Sequence, residues 1–72
     1  MYTVQVMSQS TGKPVYRAKV VISAGPGVSS PEYTDSDGCA HFHYEPEDGK
    51  VIVDGWHEFR VRLEGKVQVW IP

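Results

Sequence analysis

The sequence predicts an all-β domain, a sandwich or small barrel of seven short strands with no substantial helix. Three observations carry that expectation. Apolar and polar residues alternate with a period of two along the chain. Clusters of glycine, proline, serine and aspartate separate the alternating runs at roughly even spacing. No window of about eleven residues repeats the i, i+3, i+4, i+7 spacing of an amphipathic helix. With 72 residues there is room for one domain, spanning 1–72, and a chain of that size buries only ~60 % of its unfolded surface.

The elements follow in order. Val4 and Val6 share one face of the first run, with Thr3, Gln5 and Met7 on the other. Ser8 to Pro14 has turn composition and ends it. Arg17 to Ser23 places Ala18, Val20 and Ile22 inward and Arg17, Lys19, Val21 and Ser23 outward. The stretch from Ala24 to Pro31 reads as a surface loop, because its prolines lack a donor and its glycines carry an entropic cost. Glu32-Tyr33-Thr34 then meets Asp35-Ser36-Asp37-Gly38, a hairpin signal in which Asp35 bonds its own backbone two residues on and Gly38 accepts positive φ.

Cys39 to Tyr44 sets Ala40, Phe42 and Tyr44 against Cys39, His41 and His43. Glu45 to Gly49 forms an acidic turn, and Val51 and Val53 point the same way in the next strand. From Trp56 to Leu63, Phe59, Val61 and Leu63 oppose Glu58, Arg60 and Arg62. Glu64-Gly65-Lys66 reads as a short hairpin turn into a last strand with Val67, Val69 and Ile71 on its core face.

Composition excludes several classes of function. Hydrophobic residues at 40 % with 22 % charged residues are globular rather than disordered. The net charge of −2 has the wrong sign for gripping a phosphate backbone, so no nucleic-acid partner is expected. No apolar run approaches the ~20 residues of a membrane span. The single cysteine cannot close an internal disulfide. The absence of asparagine removes N-glycosylation. The opening Met1-Tyr2-Thr3-Val4-Gln5-Val6 lacks a charged region followed by an apolar one. A full-length chain would then be expected in the cytoplasm, and an excised or processed domain outside the cell.

Gly12-Lys13-Pro14-Val15, then Ala18-Lys19-Val20, then Thr34-Asp35-Ser36-Asp37-Gly38-Cys39-Ala40-His41-Phe42 form a recognisable series. It resembles the transthyretin-like, carboxypeptidase regulatory-domain-like family, where a glycine-proline turn leads to an alanine-valine strand and a Thr-Asp-x-x-Gly turn precedes an aromatic strand. The resemblance runs over almost the whole chain. It implies a seven-stranded antiparallel Greek-key β-sandwich, transthyretin-like or Ig-like, and a non-catalytic module that attaches to, supports or binds other molecules. Related bacterial surface domains join an early-strand lysine to a last-strand asparagine or aspartate. Lys19 points outward and Val67 to Ile71 holds neither residue, so that bond is not expected here.

Cys39, His41 and His43 are the most suggestive chemical group, since all three project from one strand face. Histidines at i and i+2 lie ~7 Å apart along the strand, within reach of one transition metal. Cys39 and His43 are ~13 Å apart, too far for all three to converge without a bulge. The plain reading is a solvated face; the alternative is a metal-binding protein built on His41 and His43. His57 shares the face of Phe59 and Val61 and reads as a structural residue. The Asp35 turn lacks the carboxylates of a calcium loop, with Tyr33 and Tyr44 where they would fall. No serine sits in a nucleophile-elbow pattern and no group orients a Cys39–His41 pair, so no enzyme is expected.

Val21, Ile52, Trp56 and Trp70 break the polar-out alternation and are the candidates for contact with a protein partner or a second copy. The competing structural reading covers Trp70 with the outward guanidinium groups of Arg60 and Arg62.

Overall fold

The computed structural model describes residues 2–25, 27–43, 48–62 and 65–72, the side chains of Asp48 and Arg62 excepted. Its strands are β1 (Tyr2–Ser8), β2 (Lys19–Ala24), β3 (Gly27–Val28), β4 (Glu32–Tyr33), β5 (Cys39–Phe42), β6 (Asp48–Val53), β7 (His57–Arg62) and β8 (Lys66–Ile71). Among the described residues there is no helix. One sheet has the order β5-β1-β8; the other runs β3-β2-β6-β7, with β4 also paired to β2.

The two sheets share one core, and period two decides which residues enter it. Tyr2, Val4 and Val6 of β1, Ala40 and Phe42 of β5, and Val69 and Ile71 of β8 cluster with Val20 and Ile22 of β2 and Val51 and Val53 of β6. Phe59, Val61 and Val67 pack against this cluster but stay partly open. Phe59 and Val61 belong to β7, an edge strand among the described residues, and Val67 lies near the start of β8, whose later residues Val69 and Ile71 are buried. Leu63, expected in the core, and Tyr44, expected beside Phe42, lie outside the described residues, as do residues 45–47 of the acidic turn.

Alternation carried one residue further back makes Tyr2 the first core residue of β1, and its ring is fully buried. Its hydroxyl has no hydrogen-bond partner, and burial pushes its pKa up to about 12. An unpaired buried hydroxyl costs about 1–3 kcal/mol. Tyr2→Phe is therefore expected to stabilise the domain by that order in urea titration. The sign of the pH dependence is fixed as well. Below pH 10 both folded and unfolded tyrosine are neutral, so burial is undisturbed. Between pH 10 and about 12 only the unfolded chain ionises, and wild type loses about 1.4 kcal/mol per pH unit from this residue. Tyr2→Phe should lack that loss.

Several local expectations are corrected by pairing across the fold. Gly27 and Val28 do form a ladder, opposite Ala24 and Ser23, although their segment reads as a loop. Glu32 and Tyr33 pair with Val20 and Lys19 further along β2, so β3 and β4 lie end to end on one edge. Between them Ser29 keeps contact: its N–H donates to the Ile22 carbonyl at 2.8 Å and its hydroxyl accepts from the Ile22 N–H at 2.9 Å. Pro31 falls in the interruption, where an edge strand tolerates a missing donor. At the other end, Arg17 has φ of 65°, which no strand residue adopts, so β2 starts at Lys19 rather than Arg17. Asp48 and Gly49 join β6 because Arg62 and Val61 pair with them, overriding their turn propensity.

Neither of two expected hairpins pairs its own flanking strands. The Asp35 turn forms, but β4 goes to the sheet of β2 and β5 to the sheet of β1. Likewise β7 pairs β6 and β8 pairs β1, so these two strands belong to different sheets. The expectation of a wholly antiparallel domain also fails at one place. β1 and β8 run parallel, Thr3 opposite Lys66 through Ser8 opposite Ile71. A parallel pair requires a long connection, and the first and last strands have nearly the whole chain between them.

Candidate functional site

The outer face of the three-stranded sheet gathers most of the polar candidates in rows. Thr3 lies between His41 and Lys66, Gln5 between Cys39 and Gln68, and Met7 opposite Trp70. Side chains join the rows: Gln68 Nε2 donates to Gln5 Oε1 at 3.1 Å, and Gln5 Nε2 donates to the Asp37 carbonyl at 3.0 Å. Above this face sits the Asp35 turn. Asp35 Oδ1 accepts from the N–H groups of Asp37 at 2.9 Å and Cys39 at 3.0 Å, and the Gly38 N–H donates to the Asp35 carbonyl at 3.0 Å.

The Cys39 and Asp37 amide bonds, with His41 nearby, hold the Asp35 carboxyl below its ordinary value. A lowered folded-state pKa stabilises above the unfolded value of 3.8, and that stabilisation disappears as pH falls through the lower folded value.

His41 is hydrogen-bonded through one ring nitrogen, and the other faces the Asp35 carboxylate from beyond hydrogen-bond distance. Nδ1 is 3.0 Å from Thr3 Oγ1 and Nε2 is 3.8 Å from Asp35 Oδ2. His43 follows the end of β5 and is exposed. Cys39 is half-buried, and burial pushes its thiol pKa up, with Asp35 and Asp37 adding to the rise and Lys66 opposing it. A thiol raised in this way stays protonated at neutral pH, the reverse of an activated nucleophile. Among the described residues no three His, Cys, Asp or Glu side chains gather to hold a metal ion.

The outward apolar candidates do not form one patch. Val21 and Ile52 are cross-strand neighbours on β2 and β6, half-buried on the outside of one sheet. Trp70 is on the outside of the other sheet and 40 % exposed. Arg60 pairs with Lys50 in the sheet that lacks Trp70, so the expected Arg60 cover over Trp70 does not exist. The Arg62 side chain lies outside the described residues.

Trp56 is 72 % exposed in the turn joining β6 to β7, its ring centroid 3.9 Å from that of His57. That turn is fastened to β2: the Asp54 N–H donates to the Lys19 carbonyl at 2.8 Å, and Asp54 Oδ1 accepts from the Lys19 N–H at 3.1 Å. Lys19 in turn pairs with Tyr33, whose ring carries the Arg17 guanidinium at 5.2 Å. Tyr33, like Trp56, is an exposed aromatic. The sequence points to Trp56 alone here, because the register that brings Tyr33 beside Lys19 is a long-range property. The described residues that line a shallow depression, Ile22, Ala24, Gly27, Val28 and Ser29, include no titratable side chain.

No family model matches the chain, and no curated protein is significantly similar to it.

Proposed function

We propose that this chain is a small non-enzymatic binding or assembly module, built as a transthyretin-like Greek-key sandwich. The observation that carries the reading is the exposure of large aromatic side chains, Trp56 and Trp70 foremost, on strands and turns anchored in a single buried core. Aromatic anchors commonly dominate the energy of protein contacts, and a domain this small has little apolar area to leave unused. The family part of the reading is supported by the sequence motifs and by β3 and β4, which taken as one interrupted strand give seven strand positions. The protonated thiol of Cys39 and the local engagement of His41 favour binding over catalysis.

The reading predicts that Trp56→Ser and Trp70→Ser each leave the melting temperature nearly unchanged, as surface substitutions do. At least one of them should abolish co-fractionation of the tagged chain with its partner in the source cells. Variants that fold normally and keep every association of the wild type would sink it.

A further inference from the structure

We infer that the free edge of β8 is a self-association site, at which a second copy of the chain adds its own β8 antiparallel across a two-fold axis. This rests on the binding-module reading above and names the partner.

The geometry starts from hydrogen-bond direction. The Thr3 N–H donates to the Gly65 carbonyl and the Gln9 N–H to the Ile71 carbonyl. In a parallel ladder of that register, Val67, Val69 and Ile71 turn their backbone groups to β1. Lys66, Gln68 and Trp70 therefore turn theirs away from it. β8 has no second strand partner among the described residues, so these three donors and three acceptors form an open row. Their side chains are also the exposed ones.

The remaining edges are blunted in ways that β8 is not. β3 and β4 have two residues each and β5 has four. β7 carries Glu58, Arg60 and Arg62. β8 offers six residues with one charge, Lys66, at its very start and no internal proline. Short strands, charges and prolines are the usual protections of a sheet edge.

Its sequence is self-complementary in one register. Centring the two-fold on Gln68 sets Gln68 opposite Gln68 of the second copy, Val67 opposite Val69, and Lys66 opposite Trp70. Every outward-turned residue then meets another, and each such pair exchanges two backbone bonds. The ammonium of Lys66 meets the Trp70 ring twice, a favourable cation–π pairing, and like charges never meet. Shifting the centre to Val67 or Val69 loses one of these pairs, and on the Val69 side it brings in Pro72, which has no N–H. The outcome is one continuous sheet with twice the strands of β5-β1-β8.

Sedimentation equilibrium of the purified wild type should show a monomer–dimer equilibrium. Trp70→Lys, which opposes two ammonium groups, should weaken dimerisation by about tenfold or more, and the swap Lys66→Trp with Trp70→Lys should restore it. In a Cys39→Ser background, Gln68→Cys should form a disulfide-linked dimer with diamide. Directly paired residues have Cα atoms ~5.5 Å apart, within disulfide range. Lys66→Cys should not, since its counterpart is ~13 Å away along the strand. Melting curves establish that each variant folds. A wild type that remains monomeric throughout overturns the inference while leaving a foreign partner, and hence the binding reading, to the tryptophan variants. A dimer that cross-links equally well in the Lys66→Cys and Gln68→Cys variants, or that ignores Trp70→Lys, also overturns it.

Discussion

Gly38→Ala is expected to destabilise the domain by about 3 kcal/mol or more, a large fraction of the stability of a chain this size. Gly38 has φ of 77°, and a left-handed conformation costs an alanine about 1–2 kcal/mol by itself. The larger part is contact. A Cβ on Gly38 would lie 2.7 Å from the Val6 carbonyl oxygen and 2.9 Å from Pro14 Cβ. Neither neighbour can give way cheaply. The Val6 carbonyl accepts from the Val15 N–H at 2.9 Å, and the Val6 N–H donates to the Gly38 carbonyl at 2.7 Å. Pro14 bridges to Met7 at the same place. Gly12→Ala supplies the control, since Gly12 has φ of 70° and nothing within 4 Å of a built Cβ. Urea titration of the two variants separates the conformational cost, common to both, from the clash, unique to Gly38. Equal midpoints for the two would show that the clash is absent.

Gly38 also shows what a sequence reveals unaided. The Asp35-to-Gly38 turn is local: its acceptor, its two amides and its left-handed glycine all lie within five residues. Period two similarly identifies Val4, Val6, Val20, Ile22, Val51 and Val53 as inward, because that property belongs to each strand separately. Parity is silent about which sheet a strand joins. Trp70 and the Val21–Ile52 pair both read as outward, and they are, but on opposite sheets. The same silence lets β7 and β8 look like a hairpin, although β8 runs parallel to β1. Residues 27 and 28 are hidden for a related reason. An edge position opposite β2 accepts glycine and a nearby proline that a central strand would reject.

Thr34→Val should cost about 2–6 kcal/mol, while Thr34→Ser should cost only about 1 kcal/mol. The order is opposite to what shape and hydrophobicity suggest, since valine matches threonine in volume and serine does not. Thr34 is 2 % exposed, and its hydroxyl bonds in both senses. It accepts from the Ala18 N–H at 2.8 Å and donates to the Val15 carbonyl at 2.7 Å. Its backbone completes the tie, with the Thr34 N–H donating to the Ala18 carbonyl and its carbonyl accepting from the Arg17 N–H, both at 3.0 Å. One side chain thus holds the segment that leads into β2 against the strand that leads into the Asp35 turn. Valine removes the hydroxyl and strands a buried donor at Ala18 and the acceptor at Val15, each costing about 1–3 kcal/mol. Serine keeps both bonds and loses a methyl group, worth about 0.8 kcal/mol. Thermal melts of the two variants give the ranking, and hydrogen exchange locates it, because the Ala18 amide should lose protection in Thr34→Val and retain it in Thr34→Ser. A valine variant as stable as the serine one, with the Ala18 amide still protected, would mean that the hydroxyl does not hold these two segments together.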